Sequence, residues 1–123
     1  MDLALRKIGQ TLVVTFTARV DLEGETSLLF KEKLKALIGD GHLHVVIDLT
    51  HVGFVDSQGL GALISCLKVL RQAGGSLTLT NLSEPVEAVL RITRLIRVFD
   101  VHGTVDEALA AAAQRPAIVG TEA

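Results

Sequence analysis

Residues 43–49 constrain the fold more than any other part of the chain. They read LHVVIDL, an apolar run of strand length that shows little alternation after His44. A strand with one solvated face alternates between apolar and polar residues, whereas a continuous apolar run is typical of a strand buried on both faces. Because helices must then cover both faces of its sheet, the run predicts the central strand of an α/β domain.

The rest of the chain alternates between strand-like and helix-like patterns. Further strands are predicted from β-branched or alternating segments, the first two joined as a hairpin: residues 3–8, 11–17, 76–80 and 97–101. Helices are predicted from apolar residues at helical spacing, flanked by capping residues or glycines: residues 22–39, 57–73, 83–93 and 108–114. Residues 50–56 are predicted to form a short loop. We therefore predict a single α/β domain over residues 1–115, with a flexible tail at 116–123.

The predicted architecture is a mixed or largely parallel central sheet of four to five strands, opened by the N-terminal hairpin and covered by about four helices. In the first helix we expect the apolar residues at helical spacing to face the core: Leu28, Leu29, Leu34, Leu37 and Ile38. The 123-residue length suits one such domain.

Charge and composition exclude several classes of function. Twelve basic and 14 acidic residues give a net charge of −2, which offers no attraction to nucleic acid or to an anionic membrane. No apolar stretch is long enough for a membrane-spanning helix, and residues 1–10 lack the apolar core of a secretory signal. The single Cys66 indicates a reducing compartment, so we expect a cytoplasmic protein.

Chemistry concentrates in residues 53–61, which read GFVDSQGLG. A buried strand is followed by a turn and then by a helix that begins at or beside Ser57. A helix N-terminus stabilises an anion, so a phosphate on Ser57 would find a favourable field, although Asp56 opposes the added charge. Gly59 and Gly61 lack side chains, so a partner could approach the turn closely. From these residues alone, helix capping and a regulatory serine both remain open.

Residues 54–61 (FVDSQGLG) resemble the signature of the STAS domain found in bacterial anti-sigma factor antagonists. The similarity extends to the order of elements over residues 3–113, to residues 45–49 (VVIDL), to the Gly74-Gly75 pair and to Asp21. Two positions depart from the pattern. Gln58 is bulkier than the residue usual after the serine, and residues 18–21 (ARVD) replace a Gly-acidic-apolar-Asp sequence.

The resemblance implies a partner-switching role. Ser57 matches a serine that is phosphorylated by a kinase that is also the anti-sigma factor; the unphosphorylated form binds that partner and releases a sigma factor. A PP2C-type phosphatase would restore Ser57, and the protein would be a monomer or a weak dimer. The expected partner-binding residues surround the signature: Asp21, Asp56, Ser57, Gln58, Gly59 and Gly61. The alternative is a STAS module that serves as a structural or regulatory subunit of a transporter or signalling assembly, with Ser57 only capping the helix.

Enzymatic and metal-dependent functions are not predicted. The residues around Ser57 lack the Gly-x-Ser-x-Gly elbow of serine hydrolases, and Ile64 occupies the third glycine position of a dinucleotide-binding loop. His42 and His44 have no third ligand nearby and are interpreted as surface histidines. Cys66 is interpreted as a packing residue with no basic neighbour to activate it. We expect no catalytic residue, no metal and no cofactor.

Overall fold

The computed structural model describes residues 1–114. The tail predicted at residues 116–123 lies outside the described residues. The described part has seven strands: β1 (Leu3–Ile8), β2 (Thr11–Phe16), β3 (Val20–Leu22), β4 (His44–Asp48), β5 (Val52–Val55), β6 (Ser76–Thr80) and β7 (Asp100–His102). It also has four α-helices: α1 (Gly24–Gly39), α2 (Ser57–Gln72), α3 (Glu84–Ile92) and α4 (Val105–Ala113).

The predicted α/β class and the mixed sheet are confirmed. Five strands form the main sheet in the order β1-β2-β4-β6-β7. The β1–β2 hairpin is antiparallel, and every other pair in this sheet is parallel. β4 lies at the centre with Val45, Val46 and Ile47 buried, as its continuous apolar run predicts.

Helices cover the two faces of the main sheet unequally. The larger core contains Phe16, Ile47 and Leu79 of the sheet together with Phe30 of α1 and Leu63 of α2. On the other face, a small cluster joins Val13 and Val46 to Ala108 of α4. The α1–α2 pair therefore provides most of the packing on one face of the main sheet.

A second sheet was missed by the sequence prediction. β3 and β5 form a separate parallel pair in which Asp21 lies opposite Phe54, and Leu22 lies opposite Val55. The prediction of a loop over residues 50–56 is therefore wrong, because β5 lies within that range. Asp21 lies in β3. Strands of three and four residues are too short to show a period in the sequence.

Two boundaries and the buried face of α1 also differ from the prediction. The last strand is Asp100–His102, because residues 95–97 form a 3₁₀ turn where the strand was expected to begin. The last helix begins at Val105, with the Thr104 hydroxyl accepting a hydrogen bond from the Glu107 N–H at 3.1 Å. In α1, Leu28 and Leu29 are each 49% exposed, contrary to the prediction. The residues of α1 that are buried are Ser27, Phe30, Leu34 and Ile38.

Candidate functional site

The start of α2 is capped by Asp56, and Ser57 is the first residue of the helix. Asp56 has an extended backbone, and its Oδ1 atom accepts a hydrogen bond from the Gly59 N–H at 2.9 Å. A side chain that accepts from the third residue of the helix satisfies one of its unpaired N–H groups. The capping role that the alternative reading assigned to Ser57 therefore belongs to Asp56.

The backbone of this turn is held against the second sheet. The Asp56 N–H donates to the Leu22 carbonyl oxygen at 3.1 Å. Gly59 is buried beside the same group: a Cβ atom there would overlap the Leu22 oxygen and would lie 2.7 Å from Val55 Cγ1. Gly59 is therefore needed for the close approach of β3, and contact between this buried residue and a partner stays a prediction. Gly61 is exposed, with nothing within 4 Å of a Cβ atom placed on it.

Ser57 and Gln58 project from this fixed turn. Both are exposed, and the Ser57 hydroxyl makes no hydrogen bond within residues 1–114. The Gln58 side chain extends towards the start of α1, where its Oε1 atom would lie 3.9 Å from a Cβ atom on Gly24. Gly24 has a φ of +53°, a backbone conformation that favours glycine. The large Gln58 side chain thus spans the space between the two helix starts.

Asp21 lies on the strand next to the turn, one residue before Leu22. Its Oδ1 atom is buried, makes no hydrogen bond among the described residues and lies 3.6 Å from Arg19 Nη2 in an ion pair. The Arg19 guanidinium lies directly over Gly53 of β5, where any Cβ atom would overlap it. The structure therefore brings Asp21 to the same end of the second sheet as Asp56, with Arg19 balancing its charge.

Two features near the turn were not predicted from the sequence. Phe54 is 40% exposed although it stands in β5 two residues before the cap. A groove between α1 and α2 also opens beside Gln58 and Gly61. The exposure of Phe54 breaks the alternation of a regular strand, because Val52, two residues earlier, is buried. The pairing of β5 with β3 is irregular here, with a register shift between Val20 and Asp21.

The interpretation of Cys66 is confirmed in part. Cys66 is fully buried on α2, and this burial raises the pKa of its thiol to about 11, although Lys35 and Lys31 lower it. The prediction that no basic neighbour exists is therefore wrong, because α1 places both lysines within electrostatic reach. Desolvation outweighs their effect, and the thiol stays protonated at neutral pH.

The histidines stand apart from the turn. His44 is half-buried, with Nδ1 2.9 Å from Ser76 Oγ, and His42 Nδ1 lies 3.5 Å from Lys7 Nζ. Within residues 1–114, no group of three or more His, Cys, Asp or Glu side chains is arranged to hold a metal ion. The same part of the chain contains no helix long and apolar enough to cross a membrane.

Comparison with known proteins places these features in context. The model of the STAS domain matches residues 2–108. The anti-sigma-B factor antagonist of Bacillus subtilis is 37% identical over 92 residues, which cover 72% of this chain and 75% of that protein. A candidate anti-sigma factor antagonist of Thermotoga neapolitana is 33% identical over 98 residues, or 79% of this chain and 87% of its own.

The fold is also shared with a solved structure. The crystal structure of a candidate anti-sigma factor antagonist from Thermotoga maritima superposes with a TM-score of 0.84 at 24% identity. The match covers 91% of this chain and 95% of that one. At this level of identity the likeness concerns the fold.

Proposed function

The chain belongs to the STAS domain family of anti-sigma factor antagonists, and from this premise we propose that it works by reversible binding to an anti-sigma factor. Its activity is then a binding equilibrium without catalysis, controlled by phosphorylation of Ser57. The observation that carries the proposal is the exposed Ser57 hydroxyl, unbonded within residues 1–114, on a turn whose backbone is fixed by Asp56 and Leu22. A kinase can reach this hydroxyl without unfolding the turn.

The phosphate would act on the interface and leave the fold intact. Phosphoserine adds roughly −1.5 to −2 charges at neutral pH. At the first residue of a 16-residue helix that charge is favoured by the helix dipole, so the folded state tolerates it. Against a partner surface the same charge is desolvated beside the Asp56 carboxylate, which costs several kcal/mol and ends binding.

The binding face consists of exposed and half-buried residues around the turn. Asp21, Asp56, Gln58 and Gly61 supply contacts around Ser57, and the buried Gly59 acts indirectly by fixing the turn. The partner is a serine kinase that is also the anti-sigma factor, and a PP2C-type phosphatase restores the binding form. The active unit is the single domain of residues 1–115, a monomer or weak dimer in the cytoplasm.

Affinity capture from the source cell tests this proposal. Wild type, Ser57→Asp and Ser57→Ala serve as parallel baits, and mass spectrometry identifies what they retain. We expect wild type and Ser57→Ala to retain an anti-sigma factor with a kinase domain, and Ser57→Asp to lose it. Equal capture by all three baits would contradict the switch. Retention of a membrane transport protein instead would favour a structural subunit.

A further inference from the structure

A groove of about 660 Å³ separates the N-terminal halves of α1 and α2 next to Ser57. Its lining includes Ser27, Leu28, Gln58, Gly61 and Ala62. Glu25 and Lys31 add charged side chains, whereas Leu28 and Ala62 are apolar. Protein-binding surfaces likewise combine apolar with polar residues.

Leu28 is the largest apolar residue of the groove and is 49% exposed. The next residue, Leu29, is equally exposed, but it lines a different recess beside Met1 and Phe16. Single exposed leucines are common on protein surfaces and need no explanation. Leu28 differs from Leu29 because it adjoins the turn that carries Ser57.

The Ser27 hydroxyl is a second, independent feature of the groove. The residue is only 2% exposed, and its Oγ atom has no hydrogen-bond partner among the described residues. Buried polar side chains are bonded in the large majority of cases, so an unpaired one requires an explanation. A polar group carried by a bound partner would provide the missing bond.

Two residues are shared by the groove and the turn. Gln58 and Gly61 line the groove, and both flank Ser57 within the first turns of α2. A protein that binds over the Ser57 hydroxyl therefore also covers the end of the groove formed by Gln58 and Gly61. This continuity identifies the occupant as the protein bound at Ser57, because a separate small ligand would compete with that protein for Gln58 and Gly61.

We propose that the groove between α1 and α2 is a second half of the anti-sigma factor interface. It receives an apolar side chain of that partner against Leu28 and Ala62, and a backbone group of the same segment bonds to Ser27 Oγ. The proposal rests on the function proposed above. A phosphate on Ser57 would displace this segment together with the rest of the interface.

The matched pair Leu28→Lys and Leu29→Lys tests the groove directly. Both changes place a lysine at an equally exposed position of the same helix, so their effects on folding should be alike. The probe is the purified anti-sigma factor that wild type captures. We expect Leu28→Lys to weaken its binding at least about tenfold and Leu29→Lys to change it less than about twofold. Leu28→Ala provides a second variant if the lysine disturbs the helix.

Ser57→Asp, measured in parallel, separates this proposal from the function on which it rests. Loss of binding in Ser57→Asp with full binding in Leu28→Lys and Leu28→Ala would overturn the groove alone. Equal losses in the Leu28 and Leu29 variants would also overturn it, because the effect would not be specific to the groove. Failure of wild type to bind any anti-sigma factor would overturn both proposals.

Ser27→Ala gives a readout that a purely structural role would not produce. Removing an unpaired buried hydroxyl should leave the melting temperature unchanged or raise it. Loss of one hydrogen bond to the partner should at the same time weaken binding about fivefold. Unchanged affinity would overturn the assignment of Ser27.

Discussion

Two aspartates lie at or just after the ends of two strands, and their hydrogen-bonding surroundings differ. Asp48 ends β4, and its Oδ1 atom accepts from the Thr50 N–H at 3.0 Å, from the Thr50 hydroxyl and from Asn81 Nδ2 at 3.1 Å. Asp56 follows β5, and its Oδ1 atom accepts from the Gly59 N–H alone. The Thr50 hydroxyl is bonded to Asp48, whereas the Ser57 hydroxyl makes no hydrogen bond among the described residues.

The comparison separates a turn that stabilises the fold from one that presents a side chain. Both backbones are fixed, the first through the carboxylate of Asp48 and the second through Asp56, Gly59 and the Leu22 carbonyl. Only the second turn leaves a hydroxyl that can be modified without breaking an existing bond. Chemical denaturation of purified variants at both turns tests this contrast.

Gly59→Ala should have the largest effect, a loss of about 3 kcal/mol in the free energy of unfolding, because the methyl group overlaps the Leu22 backbone. Gly61→Ala is the matched control, two residues further along the same helix. Since Gly61 has open space around it, that change should stabilise the protein by about 0.5–1 kcal/mol. Similar results for both glycines would show that the turn is not held against β3.

Asp48→Ala should lower the free energy of unfolding by about 2 kcal/mol, because it removes an acceptor of three hydrogen bonds. The half-buried Asn81 side chain would lose its hydrogen bond to Asp48. Asp48→Asn retains a carbonyl oxygen and should lose less than half as much. If Asp48→Ala proved neutral, the turn after β4 would not have the stabilising role assigned to it.

Asp56→Ala should cost about 1 kcal/mol, which is typical of a lost N-cap and smaller than the effect at Asp48. Asp56→Ser, which can still cap the helix, should recover most of that loss. A cost at Asp56 greater than that at Asp48 would reverse the contrast between the two turns.

Ser57→Ala should have the smallest effect, within about 0.5 kcal/mol of wild type, because the hydroxyl makes no hydrogen bond within residues 1–114. Thr50→Ala is its counterpart at the other turn and should be measurably destabilising, since its hydroxyl bonds to Asp48. A loss above 1 kcal/mol in Ser57→Ala would indicate a structural role for that hydroxyl.

Much of this organisation could be predicted from the sequence. The continuous apolar run of residues 43–49 identified the central strand, and residues 54–61 located the turn before α2. Both signals are local, because an apolar run and a capping residue before a helix occupy adjacent positions in the chain. The role of Ser57 is predicted by the resemblance of residues 54–61 to the STAS signature, since the local pattern leaves capping and regulation open.

The remainder depends on contacts between distant segments. The burial of Gly59 depends on Leu22, and the lysines near Cys66 lie on α1. The error at Leu28 and Leu29 has a similar origin. More apolar residues occur in α1 than its buried face holds, and packing against the sheet and α2 selects Phe30, Leu34 and Ile38 for burial.

The most direct test of the central claim compares the chain carrying serine at position 57 with the same chain carrying phosphoserine there. Titration calorimetry against the purified anti-sigma factor measures binding, and denaturation of the same samples measures stability. We expect phosphoserine to weaken binding at least about 100-fold while the free energy of unfolding changes by less than about 1 kcal/mol. Undiminished binding by the phosphoserine form, or its unfolding, would contradict the claim that Ser57 is a switch on a turn that stays intact.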